Sequence, residues 1–123
     1  LALLIGLLAA IGFSRYQAGG HKLALAILTV RGIPTIIVAI PLLIMLGWLG
    51  LRDTHIGLIL AYVALTVPFA FWMLKSFVDD VPHEIEEAAM MDGMSRWQAH
   101  FRVTLPLIKG GVVATALFIF ILN

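Results

Sequence analysis

The sequence predicts an all-α protein, a polytopic membrane helical bundle, and three observations carry that prediction. Of the 123 residues, 62% are hydrophobic and only 12% charged, whereas a soluble domain runs near 45–50% apolar and about 25% charged. With a mean hydropathy of +1.06, so short a chain holds more apolar surface than its own core can bury, and a bilayer is the natural cover. Apolar runs also recur at lengths near the roughly 20 residues needed to cross about 30 Å of hydrocarbon. Most of the polar residues collect between those runs.

Four segments qualify wholly or in part as spans. The first, about 1–13, is the tail of one; the second, about 23–51, is interrupted by Arg31, Pro34 and Pro41. The third covers about 56–77 with Pro68 inside it, and the fourth about 107–123. Between the last two lies a polar loop at about 79–106. The opening run LALLIGLLAAIGF has no basic region before it, as a signal peptide would. Both ends fall inside apolar runs, so the chain is expected to be an excerpt, a partial transmembrane domain.

Interior proline breaks a soluble helix at a cost of about 3 kcal/mol. A membrane helix tolerates it because neighbours satisfy the freed carbonyls. Pro34, Pro41 and Pro68 are therefore expected kinks, suited to a pathway that opens and closes, or equally to irregular packing. Orientation follows from the loops. SRYQAGGHK carries Arg15, His21 and Lys22, and the long loop region carries Lys75, Arg96, Arg102 and Lys109, whereas in RDTH one Arg is balanced by Asp53. The positive-inside rule puts the first and third connections in the cytoplasm and RDTH outside.

Composition also excludes. The net charge is +1 and the basic residues are scattered, without the stripe that nucleic acid requires. There is no cysteine, hence no disulfide and no thiolate metal site. With no Gly-rich phosphate loop the chain is not expected to bind ATP, and no cofactor or metal is expected.

The loop holds the only dense polar pattern. Asp79 and Asp80 before Val81-Pro82 read as helix-entry chemistry, acidic groups near the positive dipole end with Pro early in the first turn. Residues 84–91 favour helix, with Ile85, Ala88, Ala89 and Asp92 on one face that is small at its centre. Asp92-Gly93 interrupts it, since Gly accepts positive φ. Ser95 with Gln98 predicts a capping box for a second helix. That helix would carry Trp97 and Phe101 on one face, Arg96 and His100 on another, and end at Leu105-Pro106. An amphipathic hairpin on the headgroups is the plain alternative, although anionic lipid would repel Glu84, Glu86 and Glu87.

Glu87-Ala88-Ala89, Gly93 four positions on, and Val103-x-Leu105-Pro106 after nine more residues resemble the EAA loop of bacterial binding-protein-dependent ABC importer permeases. Val103 stands where that signature has Ile. Trp72-Met73-Leu74-Lys75, Ile85-Glu86-Glu87, Ser95-x-Trp97-Gln98 and Arg31-x-Ile33-Pro34 are similar to the maltose-type, carbohydrate-importing branch. The resemblance covers nearly the whole chain. It implies the type I importer transmembrane fold, in a multi-pass permease subunit of the bacterial inner membrane that forms a translocation path for a sugar. The partners it implies are a cytoplasmic ATP-binding subunit that hydrolyses ATP, a second permease subunit (the same or different), and an extracytoplasmic solute-binding protein. Glu87 would face the ATPase, Ala88 and Ala89 would permit a close fit, and Gly93 would turn the chain. Asp92, Leu105 and Pro106 complete the matched coupling positions. A permease of the same type for another small solute is the alternative, with an unrelated channel or secondary transporter beyond it.

Other chemistry is poorly supported. His83-Glu84-Ile85-Glu86-Glu87 lacks the second imidazole of a zinc protease helix. Asp79, Asp80 and Asp92 lack the second acidic cluster of a Mg²⁺-diphosphate site. Arg31, the charge well inside a span, either lines a solute path or ties helices together. Tyr62 and Trp72 are open to the same two readings.

Overall fold

The computed structural model describes residues 1–16, 25–27, 29 and 34–122. Arg31 lies outside the described residues. Among the described residues there is helix and no strand. The helices are α1 (Ala2–Tyr16), α2 (Thr35–Trp48), α3 (His55–Asp79), α4 (His83–Met91), α5 (Arg96–Leu107) and α6 (Lys109–Leu122).

α3 is the backbone of the bundle. Its 25 residues have the length and apolarity to cross a bilayer. At about 1.5 Å per residue they exceed the ~30 Å of hydrocarbon. Thr54 starts it by accepting a hydrogen bond from the Gly57 amide at 3.0 Å. Pro68 sits inside this helix and Pro41 inside α2, and neither ends its helix.

α1 packs along α3 through small residues. A Cβ at Gly6 would lie 2.7 Å from Ala70 Cβ, and Ala10 and Ala70 are fully buried. In a bilayer, where lipid is as apolar as the helix, such close contact supplies the association energy. Leu7, Ile11, Phe71, Leu74, Val78, Val81 and Ile108 complete the core. Phe13 meets Phe71 edge-on at 5.1 Å. α6 joins from the other side, with the ring of Phe77 lying where a Cβ on Gly111 would project.

The polar loop differs from its expected form in three places. Asp79 closes α3 rather than opening α4, and its carboxylate takes hydrogen bonds from Ser14 and Lys75. Pro82 is the N-cap of α4, ahead of the first turn. α5 continues through Leu105-Pro106 to Leu107, and the chain then bends by 71° into α6. Pro106 has no N–H and its ring crowds the carbonyl one turn back, and the turn His100–Thr104 just before it widens to a π-helix, with the Leu105 amide bonded to the His100 carbonyl. The Ser95–Gln98 capping box is formed in both directions. Gly93 turns the corner at φ 91°.

Candidate functional site at the loop end of the bundle

The ends of α1 and α3 and the helices α4 and α5 meet around one polar cluster. Arg15, in the last turn of α1, reaches across to three elements. Its Nε donates to Glu86 Oε1 at 2.8 Å. One terminal nitrogen, Nη2, donates to the carbonyls of Val78 at 3.1 Å and Val81 at 2.8 Å. The other, Nη1, lies 3.2 Å from His83 Nε2. The carbonyl of Val78, in the final turn of α3, also accepts from the Val81 amide at 3.2 Å, so the guanidinium adds a second bond at the point where the helix closes. A planar, permanently charged fork suits several acceptors at once.

Glu86 answers from α4. Its Oε1 also accepts from the Thr104 hydroxyl on α5, and its Oε2 stands 3.5 Å from His100 Nδ1. The Arg15 and Glu86 side chains are 4% and 6% exposed, so the pair is shielded from solvent and salt. The π-turn helps set this up, with His100 and Thr104 both buried on one face of α5. His100 Nε2 lies 3.2 Å from the Tyr16 hydroxyl. The buried Nδ1 of His100, on the Glu86 side, makes no hydrogen bond among the described residues. Trp97 stands edge-on to His100 at 6.2 Å and stacks on Phe101 at 6.2 Å. A cleft of about 190 Å³ opens beside the cluster, lined by Arg15, Tyr16, His83, Glu87, Met90 and Arg96 among others.

The predicted face of α4 is divided by the fold. Ala89 is buried with Glu86 against the chain's own helices. Ile85, Ala88 and Asp92 are exposed, as is Glu87 at the rim of the cleft. Met91, 89% exposed, stands beside them. Gly93 is exposed at the corner, Leu105 is half-buried and Pro106 exposed on α5. Tyr62 and Trp72 are separated along α3. Tyr62 lines an apolar groove of about 680 Å³ with Leu1, Thr66 and Phe120. Trp72 packs edge-on to Phe71, its buried indole N–H without a hydrogen-bond partner among the described residues.

Sequence reasoning missed Glu86, Arg15, Thr104 and His100 as a unit. Glu86 and Ala89, three apart, did form an alternative face of α4. Nothing local linked that face to an arginine 71 positions earlier.

The family described as binding-protein-dependent transport system inner membrane component matches residues 2–123. The chain is 39% identical over 121 residues to the inner membrane ABC transporter permease protein YcjP of Escherichia coli (strain K12), covering 98% of this chain and 43% of that protein. It is 37% identical over 123 residues to the diacetylchitobiose uptake system permease protein NgcG of Streptomyces coelicolor, covering 98% and 40%. To the trehalose transport system permease protein SugB of Mycobacterium tuberculosis it is 35% identical over 122 residues, covering 98% and 44%. The chain thus spans about two fifths of the length of the curated relatives it matches.

Proposed function

This chain belongs to the binding-protein-dependent transport system inner membrane component family, a family of transporter membrane subunits and not of enzymes, and from that membership we propose that it is part of the permease subunit of an ATP-driven sugar importer. The observation that carries the proposal is the outward face of α4. Glu87, Ala88, Met91 and Asp92 are exposed together on a helix whose other side is anchored by a buried ion pair. Such a helix offers a rigid, small-centred acidic surface to a partner at the same end of the bundle as the closing turns of α1 and α3. The partner proposed is a cytoplasmic ATP-binding subunit, whose closure on ATP would move α4 and with it the membrane helices. Glu87 supplies charge to that interface, Ala88 close approach, and Gly93 the corner that lets α5 fold back. Ala89 contributes from beneath, by letting α4 sit closely on its own chain.

A second permease subunit and an extracytoplasmic solute-binding protein complete the proposed assembly in the bacterial inner membrane. The exposed apolar faces of α2, with Ile40, Leu43, Ile44 and Met45, are then covered by lipid or by neighbouring helices. A carbohydrate cargo is supported by relatives whose names specify diacetylchitobiose and trehalose.

The test uses the full-length permease in its assembled transporter. Replacing Glu87 by Lys reverses a charge at the docking face, and misplacing charge at an interface costs several kcal/mol, so ATPase copurification and solute uptake should each fall by more than about tenfold. Glu84→Lys, on the same helix, serves as the comparison. Uptake and copurification that both survive Glu87→Lys would refute the docking role.

A further inference from the structure

We propose that the buried Arg15–Glu86 pair, closed by Thr104, is the positioning element that carries displacement of α4 into the membrane helices α1 and α3; this rests on the reading of α4 as the ATPase-facing helix. Glu86 and Glu87 are neighbours in sequence, and successive residues on a helix point about 100° apart. Glu87 is exposed while Glu86 is buried. One turn of helix therefore receives the push on one side and passes it inward on the other.

The routes through the main chain all change direction at short joints. From α4 to α5 the chain turns at Gly93 with φ 91°, and from α5 to α6 it breaks by 71°. From α3 to α4 it passes through the short link at Asp80, Val81 and Pro82, whose amides bond back only to α3, that of Asp80 to Ser76 and that of Val81 to Val78. Arg15 locks that joint. Its guanidinium bonds the Val78 carbonyl on the α3 side, the Val81 carbonyl within the link, and Glu86 on the α4 side. Because Arg15 lies in the last turn of α1, the same group fixes α1 to both. Thr104 ties the α5 side to the same carboxylate oxygen. Lysine would bring a point charge without the fork, and so could not hold these acceptors together.

The experiment measures solute imported per ATP hydrolysed by the full-length permease, assembled with its ATPase and partner permease subunits in proteoliposomes with the solute-binding protein outside. Residues on a coupling route change coupling without touching either ligand, so Arg15→Lys and Glu86→Gln should lower the ratio about tenfold while ATPase copurification stays within about twofold of wild type. Thr104→Val, which leaves both charges in place, should lower it about threefold. In the Arg15→Cys/Glu86→Cys double variant, a short bifunctional thiol reagent should restore the ratio that the untreated protein has lost. A ratio unchanged in Glu86→Gln within an assembled transporter overturns the proposal. If that variant does not insert, an unchanged ratio in Thr104→Val overturns it instead. Copurification that survives Glu87→Lys would instead remove the docking reading, a result separable from either of these.

Discussion

The close contact of α1 with α3 at Gly6 gives a prediction that can be worked through from geometry. A methyl group added at Gly6 would sit 2.7 Å from Ala70 Cβ and 3.1 Å from both Ala70 C and Phe71 N. Optimal carbon–carbon contact is about 3.5–4.0 Å. Two of the three obstructing atoms are backbone, so no rotamer change relieves them, and α1 must move away from α3 by about 1 Å. Overpacking of this kind costs about 1–3 kcal/mol. Against it stands the gain of about 1 kcal/mol from replacing helical Gly by Ala. Gly12, in the same helix, has nothing within 4 Å of its added Cβ and serves as the internal reference. Gly12→Ala should stabilise the protein by about 0.5–1 kcal/mol, and Gly6→Ala should fall below it by about 1–3 kcal/mol. The displacement also reaches the polar cluster. Arg15 is nine residues further along, about 13 Å up the helix axis. A shift of about 1 Å there would carry its 3.1 Å bond to Val78 past hydrogen-bond range. Denaturant titration of the full-length permease in mixed micelles measures both variants. Equal effects of Gly6→Ala and Gly12→Ala would refute the reasoning, because the steric term would then be absent.

Ser95→Ala removes half of the capping box at the start of α5 and should cost about 1 kcal/mol, read in the same titration. Gly93→Val forces a β-branched side chain to φ 91°, a strain of about 1–3 kcal/mol. It should lower copurification of the ATPase subunit, because the corner between α4 and α5 opens, whereas an unaltered yield would mean that the corner does not position the docking face. Met91→Cys, at a position 89% exposed, should react, in the permease stripped of its ATPase subunit, with a membrane-impermeant maleimide added from the cytoplasmic side and not from the periplasmic side. The opposite sidedness would invert the proposed topology.

Much of the secondary structure was legible because it is local. The excess of apolar residues demanded helices, since in hydrocarbon a backbone must satisfy its own hydrogen bonds. Ser95 and Gln98 specified a cap, and Gly93 a left-handed corner, through atoms within a few residues of each other. Pro106 was a weaker guide. Its missing N–H suggested the end of α5, but widening of the preceding turn absorbed the strain and moved the bend to Ile108.

What the sequence could not decide is which side of α4 the bundle would claim. Helical periodicity defines faces, and two overlap on α4: the expected one of Ile85, Ala88, Ala89 and Asp92, and a second that pairs Ala89 with Glu86. The tertiary structure buried the second, against the expectation that a glutamate seeks water. The physical reason is Arg15. Burying a carboxylate alone is prohibitive, and burying it against a forked cation and a hydroxyl is not. That compensation exists only once α1 and α3 have closed on their small residues and brought the guanidinium to the end of α4, 71 residues away in the chain.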